Sequence, residues 1–233
     1  MLNSYSIYLK ICSLLRFLVR NVKPKVRDGD RGKGLLIVLG IEMPYAIKVK
    51  ASWVVWEFPS AGSLKMDVDG AAKGKPGCAG GGVLVRNEWG GKVLAASFYY
   101  GVCTNMAAEF KAMLDGLNML MSYGLEGFHV FIESDSLVVV NTIKGLFQCA
   151  WPYLGIMEKI MKLLDVLYFQ LRHVYLEANF VADGLANKAV EDGFSTDFSS
   201  LQLPAMVKMK LLQDQRSLPV LRKKTVLIFD DGG

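Results

Sequence analysis

LKMDVDGAAKGKPGCAGGGVLVRN, residues 64–87, is the stretch on which the reading of this chain turns. Leu64–Asp69 alternates apolar and polar residues as a β-strand does, which puts Asp67 and Asp69 on one face of a sheet. Asp69 is expected to close that strand just before Gly70, where a glycine leaves room for a ligand to approach. The run GAAKGKPGCAGGG reads as a glycine-dense loop. GVLVRN and KVLAASFYY, joined by the turn EWGG, read as two further strands.

Beyond this meander, Met106–Tyr123 carries Met106, Phe110, Met113, Leu117 and Leu120 at helical spacing. His129–Glu133 is an apolar strand, and a short helix over Leu137–Ile143 and a longer amphipathic one from Ile156 to about Leu167 follow. Tyr168–Leu176 is β-rich, and Asn179–Val190 is a last helix. Three successive strands followed by alternating strands and helices give an α/β architecture with a mixed sheet and helices packed on it.

Four acids break this apolar pattern: Asp69, Glu109 in TNMAAEFKAML, Asp135 in VFIESDS and Asp183 in HVYLEANFVADGLA. An ionised carboxylate taken out of water is costly unless a cation or a donor compensates it. Glu109 lies three residues after Met106 and four before Met113, on the buried side of its helix. Asp183 shares a helical stripe with Ala186 and Val190. Each acid taken singly has a plainer role: Asp69 as a turn residue, Asp135 as an N-cap, Asp183 as a first-turn acid, Glu109 as a partner of Lys111. Taken together they suit a pair of divalent cations, because hard ions take oxygen ligands drawn from several elements.

The chain has 233 residues, 52% of them hydrophobic and 21% charged, which favours a buried core over wholesale disorder. Its net charge of +5 is unevenly spread. Residues 60–193 hold 11 Lys/Arg against 14 Asp/Glu, leaving 16 against 8 in the flanks. A polyanion would be drawn by the flanks, and the site would repel phosphate unless metal ions reversed its local field. The four cysteines form no C-x-x-C pair, which argues against a zinc site and for reduced thiols in an intracellular protein, nuclear or cytoplasmic and not secreted.

SIYLKICSLLRFLVR, residues 6–20, is interrupted by Lys10 and Arg16 and is too short for a span, so it reads as a basic amphipathic helix suited to packing or partner contact. KPKVRDGDRGKG (23–34) and WEFPSAGS (56–63) read as linkers. The expected organisation is a basic N-terminal extension over 1–62, one domain over 63–193 and a tail over 194–233. The tail ends in the β-like run TVLIFDDGG, for which no partner strand is evident.

In order along the chain, DGAAKGKPGCAGGGVLVRNEWG, TNMAAEFKAML, ESDS and HVYLEANFVADGLA resemble the ribonuclease H-like domain of the plant reverse-transcriptase-like, retroelement-derived family. W-x-x-W-E-F-P ahead of the first strand and LPAMVKMKLLQDQRSLPVLR in the tail resemble the usual surroundings of such domains. The resemblance implies a type 1 ribonuclease H fold, with a mixed five-stranded sheet flanked by helices. It also implies metal-dependent endonucleolytic hydrolysis of the RNA strand of RNA–DNA hybrids, leaving a 5′-phosphate and a 3′-hydroxyl.

On that resemblance Asp69, Glu109, Asp135 and Asp183 are the catalytic acids and the ligands of two Mg2+ ions, with Mn2+ also accepted. His173 is the family's mobile histidine, with a part in proton movement or product release. Gly70, Lys75, Thr104, Asn105 and Asn179 are the expected nucleic-acid contacts. The partner is an RNA–DNA hybrid, with no membrane and no obligate protein partner expected. The alternative is a retroelement remnant that binds nucleic acid without effective catalysis; retention of all four costly acids favours the enzyme. Another nuclease of the same superfold, exonuclease or integrase-like, fits the Glu109 position and the H-x5-N-x3-D spacing less well.

Three departures stand out. Gly74-Lys75-Pro76-Gly77 replaces the family's usual G-N-P-G, Leu137 stands where well-studied cellular enzymes carry a polar residue, and no long basic insertion separates Asp135 from His173. Modest substrate affinity follows. Asp67 is expected to be a solvated neighbour of Asp69, or else an extra like charge at the metal site. His129 is expected to be structural.

Overall fold

In the computed structural model, which describes residues 46–228 together with 10, 11, 13 and 14, the strands and helices follow in this order. β1 (Ala46–Val54), β2 (Leu64–Gly74), β3 (Gly77–Arg86) and β4 (Lys92–Cys103) precede α1 (Asn105–Ser122). Then come β5 (His129–Ser134), α2 (Leu137–Ile143), α3 (Leu154–Leu164), β6 (Tyr168–His173) and α4 (Phe180–Asp192). β7 (Thr196–Asp197), α5 (Ala205–Gln215) and β8 (Val220–Ile228) complete the described chain.

The described residues divide into two compact units. One runs from Trp53 to Arg222 and carries a mixed six-stranded sheet in the order β6-β5-β2-β3-β4-β7. β2, β3 and β4 are antiparallel, and β5 and β6 run parallel to β2. The expected α/β architecture is present, with one more strand than the five expected because the two-residue β7 pairs with β4. The other unit takes the described residues on either side and most of β1 and β8, which pair as a two-stranded sheet. The terminal β-like run thus has a partner strand that sequence inspection missed. Of the expected N-terminal helix, residues 10, 11, 13 and 14 are helical; the rest of it, and the linker over 23–34, lie outside the described residues. No helix among the described residues is long and apolar enough to cross a membrane.

The expected glycine-dense loop is instead a hairpin. β2 continues through Asp69 to Gly74 and returns as β3 from Gly77, with Asp69 opposite Gly82 and Gly70 opposite Gly81. Close packing of α4 on the sheet explains Gly80 and Gly82. A Cβ on Gly82 would stand 2.0 Å from the Ala182 carbonyl of α4, and one on Gly80 would stand 2.8 Å from the Ala186 carbonyl. Asp69 therefore sits in the middle of a strand and not at its end.

The alternation of β2 separates two cores. Met66 and Val68 pack with Val83, Val85, Phe110, Met113, Leu117 and Leu120 under α1. Each such buried side chain contributes on the order of 1.5–3 kcal/mol. On the other face Leu84 and Ala95 meet Val181 and Leu185 of α4 and Val207 and Leu211 of α5. That same face carries Lys65 and Asp67, and both are buried. Arg86, fully buried, donates to Asp67 Oδ2 from Nε at 3.0 Å and from Nη2 at 2.6 Å, and to Asp214 Oδ2 at 2.7 Å. Lys65 meets Glu133 at 2.9 Å, and the Trp56 ring lies 3.6 Å from the Arg86 guanidinium carbon.

Asp67 is therefore a paired interior charge, not a solvated neighbour. The compact unit also reaches past 63 and 193, since the buried Trp56 and Asp214 belong to it. Leaving Arg86 with half its partners would strand a charge in the interior.

Candidate functional site

β2 and β5 run side by side in parallel as far as the pair Val68–Ser134. The next residue along the chain from each of these is an acid, Asp69 within β2 and Asp135 just past β5, so chain direction brings the two side by side. Glu109 arrives from α1 because Gly70 lets the helix come down onto the strand: a Cβ there would stand 2.2 Å from the Glu109 backbone nitrogen. One carboxylate oxygen from each of Asp69, Glu109 and Asp135 lies within 4.8 Å of the other two. Asp69 is 5% exposed and Glu109 8%.

Neighbouring groups fix Glu109 and Asp135. The Gly70 amide donates to Glu109 Oε2 at 3.1 Å, and the Asn105 side-chain amide reaches Oε1 at 3.4 Å. Asn179 Nδ2 donates to the Val68 carbonyl at 2.9 Å and to Asp135 Oδ1 at 3.2 Å, tying β2 to the residue just past β5. His173 Nε2 donates to the Asp135 carbonyl at 3.1 Å from the end of β6, where it faces Ser134 in register.

The electrostatics show strain of one sign. Burial and then the charges of Glu109, Asp135 and Asp183 push the Asp69 carboxyl well above its ordinary range. Burial, followed by Asp135, pushes Glu109 up to about 8, against the opposing bonds from Gly70 and Asn105. Among the described residues none of the three is ion-paired within 4.0 Å. An all-oxygen donor set with excess negative charge fits a hard divalent cation. Asp69, Glu109 and Asp135 are the residues that could hold it.

Asp183, the fourth expected ligand, stands apart from this cluster. It lies in the first turn of α4, where Asn187 Nδ2 donates to Oδ1 at 2.8 Å and Lys210 Nζ lies 3.6 Å from Oδ2. Its charge still reaches Asp69. Asp135 does not cap α2; the N-cap position is Ser136.

Of the expected nucleic-acid contacts, Lys75 is exposed at the β2–β3 turn, and Thr104 and Asn105 are exposed at the start of α1, where Thr104 accepts a hydrogen bond from the Ala107 amide. Two others lie inward. Asn179 is 1% exposed, with its amide nitrogen donating to Val68 and Asp135, and Gly70 is buried with its amide donating to Glu109, so both position the acids. His129 packs its ring against Phe131 and Tyr168 at 4.5 and 4.3 Å, a structural arrangement. Sequence inspection missed Lys210 and the Arg86–Asp214 pair; the one available signal was a charged face on a strand whose neighbours are otherwise interior.

The model of the family described as "Reverse transcriptase-like" matches residues 67–189. The chain belongs to this family. A protein of Arabidopsis thaliana named "Putative ribonuclease H protein" is 29% identical to this chain over 179 residues, covering 76% of this chain and 28% of that protein. Ribonuclease HI of Halobacterium salinarum is 29% identical over 128 residues, covering 53% of this chain and 62% of that enzyme. The chain thus spans less than two thirds of the length of either relative.

The crystal structure of ribonuclease H1 from Halobacterium salinarum superposes with a TM-score of 0.53 at 28% identity, covering 56% of this chain and 99% of that one. The LC11 ribonuclease H1, solved in complex with an RNA/DNA hybrid, gives a TM-score of 0.51 at 29% identity over 56% of this chain and 99% of that one. This reverse transcriptase-like chain therefore has a ribonuclease H-like domain. The family match ends at 189, short of α5 and its Lys210 and Asp214.

Proposed function

We propose that this chain hydrolyses the RNA strand of RNA–DNA hybrids endonucleolytically at a two-metal site on Asp69, Glu109 and Asp135, with Asp183 as the outer fourth acid. The observation that carries the reading is the approach of three carboxylates from β2, α1 and the end of β5 to within 4.8 Å, with no cationic side chain paired to them among the described residues. A site of that charge is suited to a cation, and its relatives' names supply the substrate class. Divalent cations bound there, Mg2+ or Mn2+, supply Lewis acidity and an oriented water for phosphodiester hydrolysis.

The chain's own residues do the rest. Asn179 and His173 hold Asp135 by its side chain and its carbonyl, and the Gly70 amide holds Glu109, so the acids need little reorganisation on reaction. With Nε2–H committed to the Asp135 carbonyl, the acceptor nitrogen of a neutral His173 is Nδ1, and that atom is the one able to take up a proton. Lys75, Thr104 and Asn105 offer a cation and hydrogen-bonding groups to the backbone of the hybrid, and a ribose 2′-hydroxyl is the feature that marks its RNA strand.

The second reading, nucleic-acid binding without effective catalysis, draws on the placement of Asp183 against Asn187 and Lys210. Incubation of a strand-labelled hybrid with Mg2+, parent against Asp69→Asn, separates the two. Cleavage of the RNA strand by the parent alone supports the enzyme; binding by the parent without cleavage supports the second reading. Identical products from parent and variant would assign the activity to something other than this site.

A further inference from the structure

Asp183 is held by a lysine from beyond the family match. Lys210 Nζ lies 3.6 Å from Asp183 Oδ2, donates to the Phe180 carbonyl at 3.2 Å and sits 4.8 Å from the centre of the Phe180 ring. The stem is anchored, because Val207 and Leu211 on either side of it are buried in the second core. Close packing of α5 on α4 fixes the distance, since a Cβ on Gly184 would lie 3.1 Å from Val207 Cγ2 and 3.8 Å from Lys210 Nζ. Asn187 occupies the other Asp183 oxygen at 2.8 Å. The acid nevertheless remains near enough to Asp69 for its charge to be felt there.

A cation entering the cluster thus meets two effects of one side chain. The ammonium offsets part of the negative field that would attract the cation, and it holds Asp183 away from serving as a further ligand. We propose that Lys210 is a positioning residue that restrains Asp183 and so sets the divalent-cation concentration at which the site fills. The inference rests on the metal-dependent reading of the site and adds to it a regulator built into α5. Lys210→Met keeps the apolar stem and removes the charge. It is expected to tighten cation binding by roughly 1.5- to 5-fold, the range for a partly exposed ion pair.

The test is Mn2+ binding to the full chain, followed by the loss of the free-ion electron paramagnetic resonance signal. Parent, Lys210→Met, Lys210→Arg, Asp183→Asn and the Lys210→Met/Asp183→Asn double variant are compared, with circular dichroism to check folding. The expected result is tighter binding by Lys210→Met, parental binding by Lys210→Arg, and loss of the gain in the double variant. Lys210→Gln repeats the measurement if methionine disturbs the packing. Saturable binding by the parent that both Lys210→Met and Lys210→Gln leave unchanged or weaken would overturn this inference alone. Absence of saturable Mn2+ binding by the parent would overturn the metal reading and this inference with it.

Discussion

Replacing Glu109 with glutamine should stabilise the metal-free protein at neutral pH. The Glu109 carboxyl is raised from 4.5 to about 8, chiefly by burial and then by Asp135. A carboxyl whose folded pKa is raised binds its proton more tightly in the folded state, so stability is full below the unfolded pKa and declines as pH rises towards the folded one. Between pH 4.5 and 7 each pH unit removes about 1.4 kcal/mol, or about 3 kcal/mol in all. Glutamine keeps an oxygen for the Gly70 amide and never ionises.

In buffer with EDTA, Glu109→Gln should therefore melt about 6–12 °C above the parent at pH 7 for a unit of this size. The two proteins should converge near pH 4.5. Added Mg2+ should raise the parent and leave the variant nearly unmoved, because bound cations supply the compensation that protonation supplies in their absence. Thermal melts by circular dichroism across pH 4.5–8, with and without Mg2+, measure all three. A variant no more stable than the parent at pH 7–8 in EDTA would refute the electrostatic reasoning.

Arg86→Met strands Asp67 and Asp214 in the interior and should lose about 3–5 kcal/mol in urea denaturation. A chain ended at residue 193, which removes Asp214 and α5, should also be destabilised, and normal stability of either protein would contradict the role assigned to the buried charges. Gly70→Ala places a methyl group against the Glu109 backbone and should cost about 3 kcal/mol or more, the upper end for overpacking, with loss of hybrid cleavage. Asn179→Ala unties Asp135 from β2 and should weaken Mg2+ binding, measured calorimetrically, by about 10- to 100-fold.

Asp69, Glu109 and Asp135 were legible in the sequence because, taken together, they interrupt apolar patterns in a way that a shared cation explains better than their separate plainer roles. What brings them together was less visible. The parallel pairing that sets Asp69 beside Asp135 is a long-range fact, and Gly70 looked like room for a ligand when it is room for α1. The glycines of 70–82 disguised two strands as a loop, since the reason for Gly80 and Gly82 lies about a hundred residues away in Ala186 and Ala182.

Asp67 shows the same limit. Its alternation with Asp69 gives the correct face, but alternation cannot say that α5 covers that face and supplies Asp214 to Arg86. Lys210 was unreadable for that reason too, as α5 carries mixed residues with little sign of which side is buried. Local pattern identified the acids, and tertiary contacts decided their surroundings, which for Asp67 and Asp183 come partly from outside the family match.

The central claim is that the carboxylates of β2, α1 and the end of β5 form a cation site. Anomalous scattering from a crystal soaked in Mn2+ tests it most directly. The account predicts a peak at about 2.0–2.5 Å from carboxylate oxygens of Asp69, Glu109 and Asp135, absent in Asp69→Asn. A peak-free cluster in the soaked parent, or manganese bound only at other acids, would contradict it.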